Sequence, residues 1–206
     1  MRKLISLLLA LVLCLAVCAG TAEQSDVQDV FGTQEGSRYE NPVMGLGCTL
    51  DGWKYHSQEE ILARYNLLKE SSTEDVAEIL ENNTSVMVMS AQSPDELQNV
   101  NCVVDSAAAL YVKVYGEESY FQALKDTYAE IAPGQGWSNF TAEIVQRDIG
   151  GKTVSGLKCQ YVINGIQIYQ LQLAYLNGEY MDICTISCYF TDECDSILKN
   201  FYWLNR

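Results

Sequence analysis

The sequence predicts an α+β domain: a mainly antiparallel sheet, with a four-strand meander at its C-terminal end, flanked by helices. Three observations predict it. Strand-like runs in the last third are separated by Gly150-Gly151 and by two Asn-Gly pairs, at 164–165 and 177–178. Asn-Gly favours two-residue hairpins because both residues tolerate the positive φ of a type I′ turn. Apolar stripes at helical spacing flank these runs. Finally, both faces of the meander are apolar, so neither is left to water.

Element by element, Gly45 to Leu50 reads as a strand and Asp51-Gly52 as a turn, after which Trp53 and Tyr55 alternate with Lys54 and His56. Ser57 followed by Glu60 forms a capping box, opening a short helix with Ile61, Leu62 and Tyr65 on its inner side. Ser72 or Thr73 caps a second helix, with Val76, Ile79 and Leu80 at helical spacing. Two strands follow, "TSVMVMSA" and "NVNCVVDSA", around a loop from Gln92 to Gln98. "EESYFQALKDTYAEIAPG" is the clearest helix, with Phe121, Leu124, Tyr128 and Ile131 in one stripe, Glu117 and Glu118 at its start and Pro133-Gly134 at its end.

The meander is then Phe140 to Ile149, Lys152 to Ile163, Ile166 to Leu176 and Glu179 to Tyr189. Two-residue turns pair Ile163 with Ile166 and Leu176 with Glu179, and opposite residues share a face. One face carries Val162, Tyr169, Leu171, Leu173, Tyr175, Tyr180, Cys184 and Ile186; the other Leu157, Cys159, Tyr161, Ile163, Ile166, Ile168, Met181 and Ile183. Helices are expected to cover both, incompletely where Tyr, Gln and Lys enter the strands. A last helix, capped by Thr191, presents Ile197, Leu198 and Phe201 inward.

The chain divides into a signal peptide (1–20), a polar linker (21–40) and a single domain (41–206). Arg2 and Lys3 precede an apolar run from Leu4 to Val17, shorter than the roughly 20 residues of a membrane span and typical of a secretory leader. Two exits are open: lipid attachment at Cys18, after Leu15-Ala16-Val17, or cleavage before Glu23. The protein is therefore expected to be secreted, or anchored to the outer face of the cytoplasmic membrane. Thirteen basic and 27 acidic residues give a net charge of −14. Loss of Arg2 and Lys3 leaves 11 against 27, or −16, which argues against nucleic acid and against attraction to an anionic membrane.

Chemistry is sparse. Six cysteines fall in the domain, at 48, 102, 159, 184, 188 and 194. An even count in an exported chain permits disulfides, but small apolar thiols in a core fit equally simple physics. Cys184 and Cys188 lie too far apart along one strand to bond each other. With no Cys-x-x-Cys and a single histidine, His56, the sequence predicts no metal and no cofactor. "IGGKTVSG" lacks the first glycine of a phosphate loop, since Gln146 stands there. A Gly-x-Ser-x-Gly elbow is absent, and no catalytic residue is predicted. His56 is expected at the exposed entrance of its helix. Carboxylate pairs such as Glu117-Glu118 suit helix starts better than acid–base work. Tyrosines supply rigid area with a polar tip; the ligand or partner face expected here is Tyr169, Tyr175 and Tyr180, oriented by Gln160 and Asp182.

The stretch "GLGCTLDGWKYHSQEEI", with its Gly-Cys-x-Leu-Asp-x-Trp opening, followed by "YFQALKDTYAEI", a long meander and a short final helix, resembles exported proteins of Clostridia-type Gram-positive bacteria. Their fold resembles the PsbP-like α/β sandwich. The resemblance spans nearly all of the exported domain. It implies a PsbP-like sandwich used as a binding partner, assembly factor or chaperone, and it carries over no catalytic residue. The function expected is thus a non-enzymatic binding or accessory protein of the cell envelope, with a protein or small-ligand partner. The alternative is an envelope hydrolase whose site is assembled from distant residues, with His56 or paired carboxylates in a cleft.

Overall fold

Two-residue turns organise the C-terminal half. A computed structural model describes residues 31–64 and 85–204. Its meander comprises β7 (Ser138–Ile149), β8 (Lys152–Ile163), β9 (Ile166–Asn177) and β10 (Tyr180–Tyr189). Consecutive strands pair antiparallel throughout. Asn164 and Gly165 both have positive φ, 51° and 79°, as a type I′ turn requires. Ile163 faces Ile166, as predicted. The second Asn-Gly turn differs. Asn177 stays in the strand opposite Tyr180, so Leu176 faces Met181 and not Glu179. The reason is a side chain: Asn177 Nδ2 donates to the Val43 carbonyl and to Asp182, at 2.6 and 2.7 Å. Gly178, with φ 63°, opens the turn instead. The partner of Leu176 shifts by two residues, so the facing of every side chain is kept.

The N-terminal part contributes β1 (Thr33–Glu35), β2 (Arg38–Asn41), β3 (Leu46–Thr49), β4 (Lys54–Tyr55), α1 (Gln58–Arg64), β5 (Ser85–Gln92) and β6 (Gln98–Asp105). Between β6 and β7 lie α2 (Ser106–Tyr115) and α3 (Glu117–Ile131); after β10 come α4 (Cys194–Leu198) and β11 (Phe201–Trp203). The large sheet has the order β4-β5-β6-β10-β9-β8-β7, and the small one β1-β2-β3-β11. Strand β10 is central, and Met181 to Cys188 are all buried. A strand covered on both faces must be apolar on both, which is the pattern seen in the sequence.

Each face of the large sheet has its own core. Leu157, Cys159, Tyr161, Ile168, Met181 and Ile183 pack with Val112 of α2 and with Phe121, Leu124 and Tyr128 of α3. On the opposite face, Leu171, Leu173, Cys184 and Ile186 pack with Tyr39, Leu46, Cys48, Ile197, Leu198 and Phe201. The face assignment holds, but the expectation that helices cover both faces is corrected. One cover is helical; the other is the small sheet with α4.

Three further expectations change. The linker expected over 21–40 gives way to structure in its second half, where Phe31 and Tyr39 are buried and β1 and β2 form. The final helix stops at Leu198, and Phe201 belongs to β11, paired with Cys48 of β3. Helix α2 was not anticipated. Asp105 ends β6 and caps it, its side chain accepting from the Ala108 N–H at 2.8 Å. The capping box of α1 is present: Ser57 N–H donates to Glu60 at 2.9 Å, and Glu60 N–H to Ser57 Oγ at 3.2 Å. The leader, Cys18 and the helix expected near Val76 lie outside the described residues.

Candidate functional site

The five residues of the expected tyrosine face fall into two groups. Gln160 sits opposite Tyr169 on neighbouring strands. Tyr175 sits opposite Asp182, and Tyr180 opposite Asn177. Six residue steps along β9, roughly 20 Å of strand, separate Tyr169 from Tyr175, with buried Leu171 and Leu173 between them. Gln160 is exposed and the three tyrosines half-buried. The second group is tied into the joint between the sheets. Tyr175 OH donates to the Met44 carbonyl at 3.0 Å, and its ring stands edge-on to Trp203 at 4.9 Å. Asp182 is fully buried and accepts from Asn177.

His56 does not lie open at the helix entrance. Its side chain is only 5% exposed, with Nδ1 3.5 Å from Glu60 Oε2. It follows β4 and is drawn in because its backbone N–H donates to Ser90 of β5. The Ser57 N–H and Lys54 beside Glu60 hold that carboxylate below its usual range. Among the described residues no three His, Cys, Asp or Glu side chains converge as a metal site. The acidic pair Glu117-Glu118 occupies the first turn of α3, where the helix dipole favours negative charge. Arg147 binds Asp195 through Nε and Nη2, at 2.5 and 3.3 Å, and Lys158 reaches Asp192 at 2.6 Å. These contacts fasten α4 to β7 and β8. All six domain cysteines are free and buried. Burial pushes the Cys48 and Cys159 thiols up to about 12, so they stay protonated and poor nucleophiles at neutral pH.

The surface feature that stands out is the outer side of α2. Ala109 and Val112 face the sheet. At 100° per residue the opposite side carries Leu110, Tyr111, Val114 and Tyr115, which are 62%, 36%, 62% and 64% exposed. The Tyr111 ring lies 4.8 Å from that of Tyr115 and 6.4 Å from that of Tyr120. Lys113 pairs with Glu179 of the β9–β10 turn at 2.9 Å. Leu176, 44% exposed, is three residues from Glu179 in the same hairpin. The sequence contained a sign of this. In "SAAALYVKVY" only Ser106 and Lys113 are fully polar, so one face of the sheet cannot bury every apolar member.

Fold and surface together define an α+β domain of two antiparallel sheets, with a helical layer in which the outer side of α2 is apolar. No protein-family model and no curated protein matches the chain. Among solved structures it is similar to LpqN, involved in cell envelope biogenesis of Mycobacterium tuberculosis. The identity is 10%, covering 84% of this chain and 87% of that one, with a TM-score of 0.35. Likeness at that level decides neither function nor site.

Proposed function

We propose that this chain is an exported, non-enzymatic binding or accessory protein of the cell envelope that docks a partner protein on the outer side of α2. The observation that carries the reading is the row Leu110, Tyr111, Val114 and Tyr115, large apolar side chains turned to water on one helix. Contiguous apolar surface of this kind marks interaction sites, and Tyr is enriched at the centre of interfaces. Charge sets the partner's chemistry. Glu117 and Glu118 follow the patch in the chain, Glu179 pairs with Lys113 of the same helix, and the whole chain carries −14. The partner segment is an amphipathic helix whose apolar stripe is flanked by Lys or Arg. This surface replaces the tyrosine face as the proposed site, because Tyr175 and Asp182 are engaged between the sheets. Export rests on the apolar leader, and the resemblance to PsbP-like exported proteins supports a binding role.

A synthetic amphipathic helix with Lys flanks tests the docking site against the same stripe with Glu flanks. The Lys form is expected to bind at least tenfold tighter, and the double variant Leu110→Ser, Val114→Ser to lose that binding with unchanged thermal stability. Equal binding of both peptides, or binding indifferent to the double variant, overturns the site. Labelled palmitate tests the anchor. Label on the wild type but not on Cys18→Ala establishes lipidation; equally little label on both, with both in the medium, establishes cleavage near Ala22.

A further inference from the structure

Cys188 lies near the end of β10, and Cys194 is the first residue of α4. Their sulfurs are 3.6 Å apart, with the Cys194 thiol donating to Cys188 Sγ, and both residues are fully buried. We propose that Cys188 and Cys194 form an intramolecular disulfide in the folded, exported protein, while Cys48, Cys102, Cys159 and Cys184 remain thiols. The proposal is independent of the docking surface on α2.

Two features single out this pair. The five residues from Tyr189 to Glu193 reverse the chain, with Phe190 at φ 70°, and bring the two sulfurs face to face. An approach of about 1.5 Å then reaches bonding distance. Second, one partner has freedom to make that approach. Phe190 to Glu193 are exposed, and Cys194 begins a helix of five residues. Cys102 and Cys184 lack this freedom. They sit directly opposite on β6 and β10, each strand held on its other side by β5 or β9. Opposed residues keep Cβ atoms about 4.5–5.5 Å apart, whereas a disulfide draws them to roughly 3.8 Å. Cys48 belongs to the small sheet and Cys159 to the opposite core.

The oxidant is a second disulfide, either oxidised glutathione or that of an exported thiol oxidoreductase. Cys188 thiolate attacks one of its sulfurs, breaking that S–S bond, forming a mixed disulfide and releasing the first thiolate. Cys194, losing its proton, then attacks Cys188 Sγ and expels the second thiolate. Two protein thiols are oxidised, one external disulfide is reduced to two thiols, and the two protein protons end on the leaving sulfurs. Exchange takes place before the 188–194 turn closes, since the folded sulfurs are sealed from solvent. The same seal then protects the finished bond.

The full exported chain is refolded in a mixture of reduced and oxidised glutathione, its remaining thiols are alkylated in denaturant, and the digest is mapped by mass spectrometry. The expected result is a peptide joining Cys188 to Cys194, with the other four domain cysteines alkylated. That link is expected to be reduced by glutathione at least tenfold more slowly in the native protein than in denaturant. Cys188→Ser, Cys194→Ser and the double variant are expected to lower Tm by the same amount. Alkylation of all six domain cysteines, or a Cys102–Cys184 link with 188 and 194 alkylated, overturns the proposal. The wild-type map decides even where a serine variant fails to fold.

Discussion

Asp105 serves two opposed ends. Its carboxylate caps α2 by accepting the Ala108 N–H, yet it is only 8% exposed. Burial raises its pKa despite the lowering effect of its hydrogen bonds to Ala108, Ser85 and Ala107. A carboxyl whose folded pKa is raised binds its proton more tightly when folded. Its contribution to stability therefore falls as pH rises from the ordinary carboxylate value through the raised one. Asp105→Asn keeps the cap and carries no charge, so it is expected to unfold at pH 7 with a midpoint at or above the wild type and to lose this pH dependence. Asp105→Ala loses the cap and is expected to cost about 1 kcal/mol. Urea titrations at pH 4 and pH 7 separate the three. Asp195 has the opposite sign. Arg147 beside it lowers its pKa, so its stabilisation is present above the ordinary value and is lost as pH falls through the lowered one. The pair is largely solvated, and Asp195→Asn is expected to cost about 0.2–1 kcal/mol at neutral pH. That cost should vanish in acid and shrink in high salt. His56 shows the limit of reading single residues from a sequence. Its place before a capping box was legible, but the hydrogen bond that draws it under β5 joins residues 34 positions apart, His56 and Ser90.

Elements were legible where local chemistry is strong and no distant partner intervenes. Gly150-Gly151, Asn164-Gly165 and the Ser57–Glu60 box meet all their demands within a few residues, and each stands as read. Asn177 was misplaced because its amide answers to Val43, far away in the chain. Helix α2 is hidden because the strand read over "NVNCVVDSA" runs past Asp105 to Ala107, across the cap at which the helix begins. Gly156 tests the packing of the meander. It stands opposite Leu173, and a Cβ there would fall 2.6 Å from both the Gln172 carbonyl oxygen and Leu173 Cδ2. One of those neighbours is backbone and cannot yield, so Gly156→Ala is expected to destabilise by roughly 1–3 kcal/mol. Gly134→Ala is the control: its nearest neighbour is 3.5 Å away, and it has no positive φ. Equal unfolding midpoints for the two variants would show that β8 and β9 do not pack as described.

At the scale of the molecule, the second sheet is assembled from both ends of the described chain: β1 to β3 from the N-terminal side and β11 from the C-terminal side. The sequence hides this. In "FGTQEGSRYE" all of β1 is exposed, and β2 turns only Tyr39 and Asn41 fully inward, too few apolar positions to set a period. What the sequence did contain was the need for a cover, since Leu171, Leu173, Cys184 and Ile186 share a face that water cannot occupy. Tyr39 shows why β2 belongs to the domain. Its ring is buried, and its hydroxyl donates to the Phe31 carbonyl at 2.9 Å and lies 3.3 Å from that of Val88 in the large sheet. Losing a buried aromatic side chain of this size costs about 3–5 kcal/mol, a large part of a typical domain's stability. A chain beginning at Phe31, which keeps β1 and β2, is therefore expected to unfold cooperatively. A chain beginning at Pro42 should unfold at a clearly lower midpoint, and Tyr39→Ala in the longer chain should reproduce most of that loss. If the chain from Pro42 matches the longer ones, β1 and β2 add nothing to the cover, and the face around Tyr175 would be held by β3, β11 and α4 alone.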